Sequence, residues 1–122
     1  MTVYASFEAM PVWQKGMDLA ERVFAATEKL PRKEDYGFTS QIRRSALSVP
    51  GNIAEGFGRQ HTKEKVNFYY VARGSLAETK SHLIYGFKVG YFQKSDFDCL
   101  IELVASIWAE LNRLISSFLA QP

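Results

Sequence analysis

QIRRSALSVPGNIAEGFGR, Gln41 to Arg59, places a proline and three glycines inside an otherwise amphipathic helical pattern. Its apolar positions Ile42, Ala46, Val49, Ile53 and Phe57 are spaced four, three, four and four, so one buried face stays in register across Pro50. That register predicts a single proline-kinked helix from about Phe38 to Arg59. Pro50 has no N–H to donate and crowds the carbonyl of Ala46, a defect of about 3 kcal/mol in an unsupported helix. Tertiary structure must offset it. Ser48 and Asn52 bracket the proline, and short polar side chains there suit the backbone groups it leaves unpaired. Asn52 and Glu55 alternatively line a polar surface or ring channel. A helix-turn-helix with Ser48 to Gly51 as its turn is a further option, against which the unbroken apolar register counts.

Three more helical patterns flank this one, with no useful strand-like alternation, so the sequence predicts an all-α fold. In the first, about Pro11 to Leu30, Trp13, Met17, Ala20, Phe24 and Thr27 form the stripe, with Gly16, Val23 and Leu30 beside it. Pro11 suits a first-turn position and Pro31 a stop. The third runs from a Thr62 cap to about Val89, with Phe68, Ala72, Leu76, Thr79, Leu83 and Phe87 on one face. Gly90 fits the left-handed position after it, and Ser95 with Asp98 reads as a capping box opening the fourth. Short connections favour an antiparallel up-down-up-down four-helix bundle, one domain over residues 1–122.

The fourth pattern carries the signal for self-association. Phe97, Val104, Leu111 and Phe118 recur every seven residues, as do Leu100, Ile107 and Leu114, and Ile101, Trp108 and Ile115. Leu103, Ala105 and Leu119 lie outside that stripe and widen it. Leu103, Trp108 and Leu119 are therefore candidate oligomer contacts, unless they are ordinary scattered surface apolars.

Composition bounds the chemistry. With 122 residues, 47% of them hydrophobic, a real core can form. No charged start leads into an apolar run, and no apolar stretch approaches 18 residues, so neither a signal peptide nor a membrane span is expected and the protein reads as cytoplasmic. Cys99 is the one cysteine, excluding an internal disulfide and, beside only His61 and His82, leaving too few soft ligands for zinc; it reads as packing material. The net charge of +2 conceals an asymmetry: residues 36–94 hold nine Lys and Arg against three Glu, a net of +6, while residues 1–35 net −1 and residues 95–122 net −3. A basic middle suits RNA or DNA, and equally suits head-to-tail contact between copies.

Nothing specifies an enzyme. Glu78 and His82 are four apart, not the three of a di-metal bundle motif, and only one such pair exists, so a solvated helix contact is expected and neither metal nor other cofactor. Glu55 and Glu78 lack an accompanying nucleophile, and a buried ion pair with Arg43, Arg73 or a neighbouring subunit's arginine fits them better than acid–base work. Gly56-Phe57-Gly58 lacks the strand and further glycine of a phosphate loop; Gly56 and Gly74 instead suit close helix approach. For an anionic ligand the candidates are Arg43, Arg44, Arg59, Lys63 and Lys65, extended by Arg73, Lys80 and Lys88. Tyr69 and Tyr70 stand beyond them as stacking groups for unpaired bases, or as packing residues.

Gln41–Arg59 also closely resembles the signature of the bacterial four-helix bundle proteins encoded in intervening sequences of large-subunit ribosomal RNA genes. Phe7–Leu19 (FEAMPVWQKGMDL) resembles that family's opening, Tyr36–Gln41 (YGFTSQ) its lead into the signature, and Ala72–Glu78 (ARGSLAE) its third-helix motif, which includes Arg73, Gly74, Ser75 and Glu78. The resemblance implies a protein without enzymatic activity that assembles into rings, typically of five. It also implies kinship with the accessory variability protein of retroelements, which serves a reverse transcriptase and binds nucleic acid. The function expected is thus an oligomeric nucleic-acid-binding or ribonucleoprotein adaptor. A scaffold that binds only proteins is the alternative.

Overall fold

The computed structural model describes residues 4–121, so residues 1–3 and 122 of the expected domain lie outside it. Among the described residues the chain forms four α-helices and no strand: α1 (Pro11–Thr27), α2 (Phe38–Gly58), α3 (Thr62–Lys88) and α4 (Lys94–Leu119), with short 3-10 turns at Phe7–Ala9 and Arg32–Glu34. Each helix packs on its chain neighbours and α1 closes against α4, making a four-helix bundle. Bridging pairs run in opposite numerical senses along every seam. Arg43 reaches Thr27 and Gly16 faces Pro50; Ser45 meets Thr79 and Gly56 meets Tyr69; Arg73 meets Asn112 and Phe87 meets Phe97. The centre is filled by Leu19, Ile42, Ile53, Leu76, Leu83, Ile107 and Leu111.

α2 continues through Pro50 without interruption, and Ser48 to Gly51 are helical, which removes the helix-turn-helix alternative. Pro50 is itself buried, and on α1 a Cβ at Gly16 would stand 3.4 Å from its nitrogen and from Val49 Cγ1. That approach sets the rotation of α1. Its buried line is Val12, Gly16, Leu19, Val23 and Thr27, which shares Thr27 with the stripe read in the sequence and otherwise lies one position before it. Phe24 consequently turns outward, where the Arg43 guanidinium lies 4.3 Å over its ring. The helix also stops at Thr27, short of Leu30, as the chain tightens through Glu28 N–H to Ala25 O and Leu30 N–H to Thr27 O bonds.

The polar bracket around the proline works differently from expectation. Asn52 Nδ2 donates to the Ser48 carbonyl and to Ser48 Oγ, each at 2.8 Å, and not to the Ala46 carbonyl that Pro50 deprives. Ser75 Oγ joins Ser48 Oγ at 3.0 Å, and buried Thr79 joins Ser45 at 2.9 Å. A hydroxyl seam therefore links α2 to α3. Because each of these groups finds a partner, the seam lies inside the interface without the penalty of an unmade hydrogen bond.

α3 buries Val66, Tyr69, Ala72, Leu76, Thr79, Leu83 and Gly86, so the middle of the expected face is right and its ends shift to Tyr69 and Gly86. Both ends are set by small residues: Gly56 admits the Tyr69 ring, and Gly86 admits Phe92 and Phe38. Phe68 and Phe87 are displaced to the flanks, Phe87 stacking on Phe97 with centroids 4.5 Å apart. Gly74, by contrast, has nothing within 4 Å of an added Cβ and mediates no close approach. After α3, Gly90 adopts φ +85°, the Tyr91 N–H bonds Gly86 O at 2.7 Å, and the Gly90 N–H bonds Phe87 O at 3.1 Å. These bonds make the Schellman cap that the glycine predicted. Thr62 and Ser95 are not caps; His61 and Gln93 precede the helices, and Asp98 is held by Lys94 at 2.8 Å.

α4 buries Leu100, Val104, Ile107, Leu111 and Ile115, while Phe97, Ile101, Leu103, Leu114 and Phe118 pack partly buried against the same core. Leu103 is thus engaged within its own bundle. Leu119 is 61% exposed and Trp108 41% exposed. Cys99 faces solvent and is not packing material, since it falls outside the buried line of the helix.

Two glycine substitutions test this packing with opposite signs. At Gly56 an added Cβ would lie 2.7 Å from Tyr69 Cε1, so Gly56→Ala should destabilise the fold by about 1–3 kcal/mol. Gly74→Ala adds a methyl in open space and removes glycine's backbone entropy, and should stabilise by about 0.5–1 kcal/mol. Urea unfolding at one fixed protein concentration reads both.

Candidate nucleic-acid interface

The basic residues of α2 and α3 divide into those used by the fold and those left to solvent. Arg43 Nε donates to Thr27 Oγ1 at 2.8 Å, and its Nη2 reaches Phe24 O, so this guanidinium binds the C-terminal turn of α1. Arg59 pairs with Glu55 one turn earlier at 3.0 Å and lies 4.6 Å over the Phe68 ring. Lys65 Nζ donates to Phe57 O at 2.7 Å and Gly56 O at 3.3 Å. An ammonium there satisfies the last carbonyls of α2 and complements the negative end of its dipole. Burial holds the Lys65 pKa below the usual lysine value. Arg43 and Lys65 thus clamp helix ends, while the Arg59 pair is exposed on its own helix.

Tyr69 is also removed from the candidate surface. Only 1% exposed, it packs against Phe118 with ring centroids 5.7 Å apart, and burial pushes its hydroxyl up to about 12. A buried ring offers no face to a base. Tyr70, its neighbour, is 40% exposed. The two tyrosines are 100° apart around α3, and the glycine at position 56 determines which one turns inward.

Arg44, Lys63, Lys80 and Lys88 remain. Among the described residues none of the four has an ion-pair or hydrogen-bond partner, and Lys63, Lys80 and Lys88 are exposed. Arg44 lines an open polar groove of about 670 Å³ between α2 and α3, shared with Gln41, Ser48, Ser75 and Glu78. Glu78 is exposed and held by His82 at 3.1 Å, the solvated helix contact that their spacing predicts. Glu55 and Glu78 thus form no buried ion pair with Arg43 or Arg73, because both carboxylates point to solvent and each is held by a residue four positions on.

Arg73 behaves as the sequence did not anticipate. Its Nη1 donates to Asn112 Oδ1 on α4 at 2.8 Å, and its guanidinium carbon lies 5.0 Å from the Tyr70 ring centre and 5.5 Å from that of Trp108. Tyr70 and Arg73 are three apart on α3, and Trp108 and Asn112 four apart on α4, so each pair was visible as helix neighbours. Their meeting across the seam depends on the register of α3 against α4. Beside Trp108 an apolar groove of about 510 Å³ opens between the two helices, lined by Ala77, Lys80, Ile84, Ile101 and Ala105 among others. Among the described residues no group of three or more His, Cys, Asp and Glu could hold a metal ion, and no helix is long and apolar enough to cross a membrane.

These features define a four-helix bundle with a basic and aromatic outer face on its central hairpin. The family model described as 23S rRNA-intervening sequence protein matches residues 8–113, and the chain belongs to that family. Its fold is similar to the crystal structure of a protein of unknown function from the S23 ribosomal protein family of Bacteroides thetaiotaomicron. The TM-score is 0.77 at 20% sequence identity, covering 85% of this chain and 97% of that one. No curated protein sequence matches.

Because Lys65 is a cap, its substitution should separate stability from ligand binding. Lys65→Gln should cost about 1 kcal/mol in urea unfolding through the lost bonds to Phe57 and Gly56. The salt dependence of any polyanion binding should not change. A flattened slope in the folded variant would return Lys65 to the ligand surface.

Proposed function

We propose that this protein is a non-enzymatic, cytoplasmic, homo-oligomeric bundle that binds nucleic acid through phosphates, as an adaptor in a ribonucleoprotein. The observation that carries this reading is the set of unpartnered cations, Arg44, Lys63, Lys80 and Lys88, within a segment of net charge +6. Phosphate contacts give affinity with weak sequence preference, and they suit a surface without a base-reading helix rich in Asn, Gln and Arg at its start. RNA and DNA are both admissible by this chemistry. Family membership supports the assembly, a ring of five by the resemblance described above, in which repeated modest sites would act multivalently. Leu119, Leu47 and Phe24 supply exposed apolar surface for contact between copies. The same surface supports the second reading, a scaffold that binds only protein.

Light scattering and salt titration test this together. The mass should be that of an oligomer at micromolar concentration, and a monomer would remove the ring. Labelled single- and double-stranded RNA and DNA should bind the parent with affinity falling steeply as salt rises. Changing Arg44 and Lys63 together to Gln should flatten the logarithmic slope by about 0.7 per contact for single strands and about 0.9 for duplex. If the parent fails to bind at low salt, or the variant keeps the parent slope with its fold and mass intact, the protein scaffold takes its place.

A further inference from the structure

From the Tyr70–Arg73–Trp108 array we infer that the α3/α4 face is a stacking platform for the unpaired bases of a single-stranded nucleic acid, an assignment that deepens the phosphate-binding reading and rests on it. The array has three properties that a base needs and an ordinary surface lacks. Its rings are available, Tyr70 being 40% and Trp108 41% exposed. Its cation is fixed, because Asn112 Oδ1 holds Arg73 Nη1 at 2.8 Å while the guanidinium sits over both rings. Its planes are offered on neighbouring helices, with the apolar groove beside Trp108 as room for an inserted base. Aromatic and guanidinium planes stack on any base, so the platform adds affinity without reading sequence.

Charge favours a nucleic-acid strand over a protein segment. At 100° per residue, Lys63, Tyr70, Arg73, Lys80 and Lys88 project within about 100° of one another along α3. Glu64 and Glu78 project about 80° to 120° from Tyr70 on the other flank. A basic stripe with its carboxylates turned away is the footprint of a phosphate backbone. On α4, Glu110 is tied to Lys15 and Asp98 to Lys94. Asp96 and Glu102 stand towards the end of α4 that meets the C-terminal end of α3, where Phe97 stacks on Phe87. The strand therefore follows the Lys63 to Lys80 half of the stripe, past Trp108.

The test uses single strands of about a dozen nucleotides, within the span one such surface covers, and matching strands with abasic sugars on the same backbone. On the parent protein the base-bearing strand should bind about tenfold more tightly than the abasic strand and quench tryptophan fluorescence. Trp108→Ala should lose about that tenfold with the salt slope unchanged, since stacking releases no counterions, and Trp108→Phe should recover most of it. Lys80→Gln should instead flatten the slope. Equal binding of the two strands by the parent overturns the platform, and decides the matter even if Trp108→Ala fails to fold. A folded Trp108→Ala that binds as the parent does, or that loses assembly mass, also overturns it, the latter making this face a contact between copies. If the parent binds no strand at low salt, the phosphate reading falls too; if it binds both strands equally, only the platform falls.

Discussion

The approach of Gly16 on α1 to Pro50 on α2 is the constraint from which the packing of the first helix pair follows. Proline inside a helix removes a hydrogen bond and is normally a defect. Here its ring is buried where the opposite helix carries no side chain, so the site of the missing bond is also a site of dense contact. Fixing that contact fixes the rotation of α1. It sends Thr27 inward to meet Arg43 and leaves Phe24 outside beneath the same guanidinium. One arginine thus compensates both consequences of the glycine.

A second set of small residues positions α3. Ser45, Ser48 and Ser75 let α2 and α3 meet through hydroxyls, and Gly56 lets the Tyr69 ring enter at the far end. Since α3 lies between α2 and α4, its rotation decides what reaches the surface. With Tyr69 inward, Tyr70 and Arg73 must face the α4 side, where Trp108 and Asn112 stand. At the other end, Gly86 admits Phe92 and Phe38, and Tyr91 OH donates to Glu34, tying the turn after α3 to the loop before α2. Packing inside the α2–α3 pair and chemistry outside it are therefore coupled through single-residue choices.

That coupling explains what was legible beforehand. Four helices, the passage through Pro50, the glycine cap at Gly90 and the buried middles of the α2, α3 and α4 stripes follow from local pattern, which averages over many residues. The errors fall where one residue's bulk decides. Phe24 and Phe87 are large and apolar and yet lie at the margin, because Gly16 and Gly86, which carry no apolar signal, set the nearest approach. Gly74 shows the converse: a glycine in a helix does not by itself mark a contact, and this one meets nothing. The candidate site was less legible still. Arg43 and Lys65 look alike with Arg44 and Lys63 in a basic run, and only the tertiary positions of Thr27 and the Phe57 carbonyl tell the clamps from the free cations, whereas the Arg59–Glu55 pair is a helix neighbour four positions apart.

Free and committed charges carry different physical meanings. A lysine at a helix C-terminus gains from fixed carbonyls, and moving it to a phosphate would forfeit those bonds, so it contributes little to ligand affinity. Arg44 and Lys63 give up no such bonds. Arg73 lies between these cases: its single bond to Asn112 leaves the guanidinium plane over Tyr70 and Trp108 instead of enclosing it. Because arginine keeps its charge and planar donors together, it can remain anchored at one edge while its face and remaining N–H groups meet a ligand. Within the basic hairpin, that partial commitment distinguishes the α3/α4 seam from the helix-end clamps, whose cations the bundle uses to close its own ends.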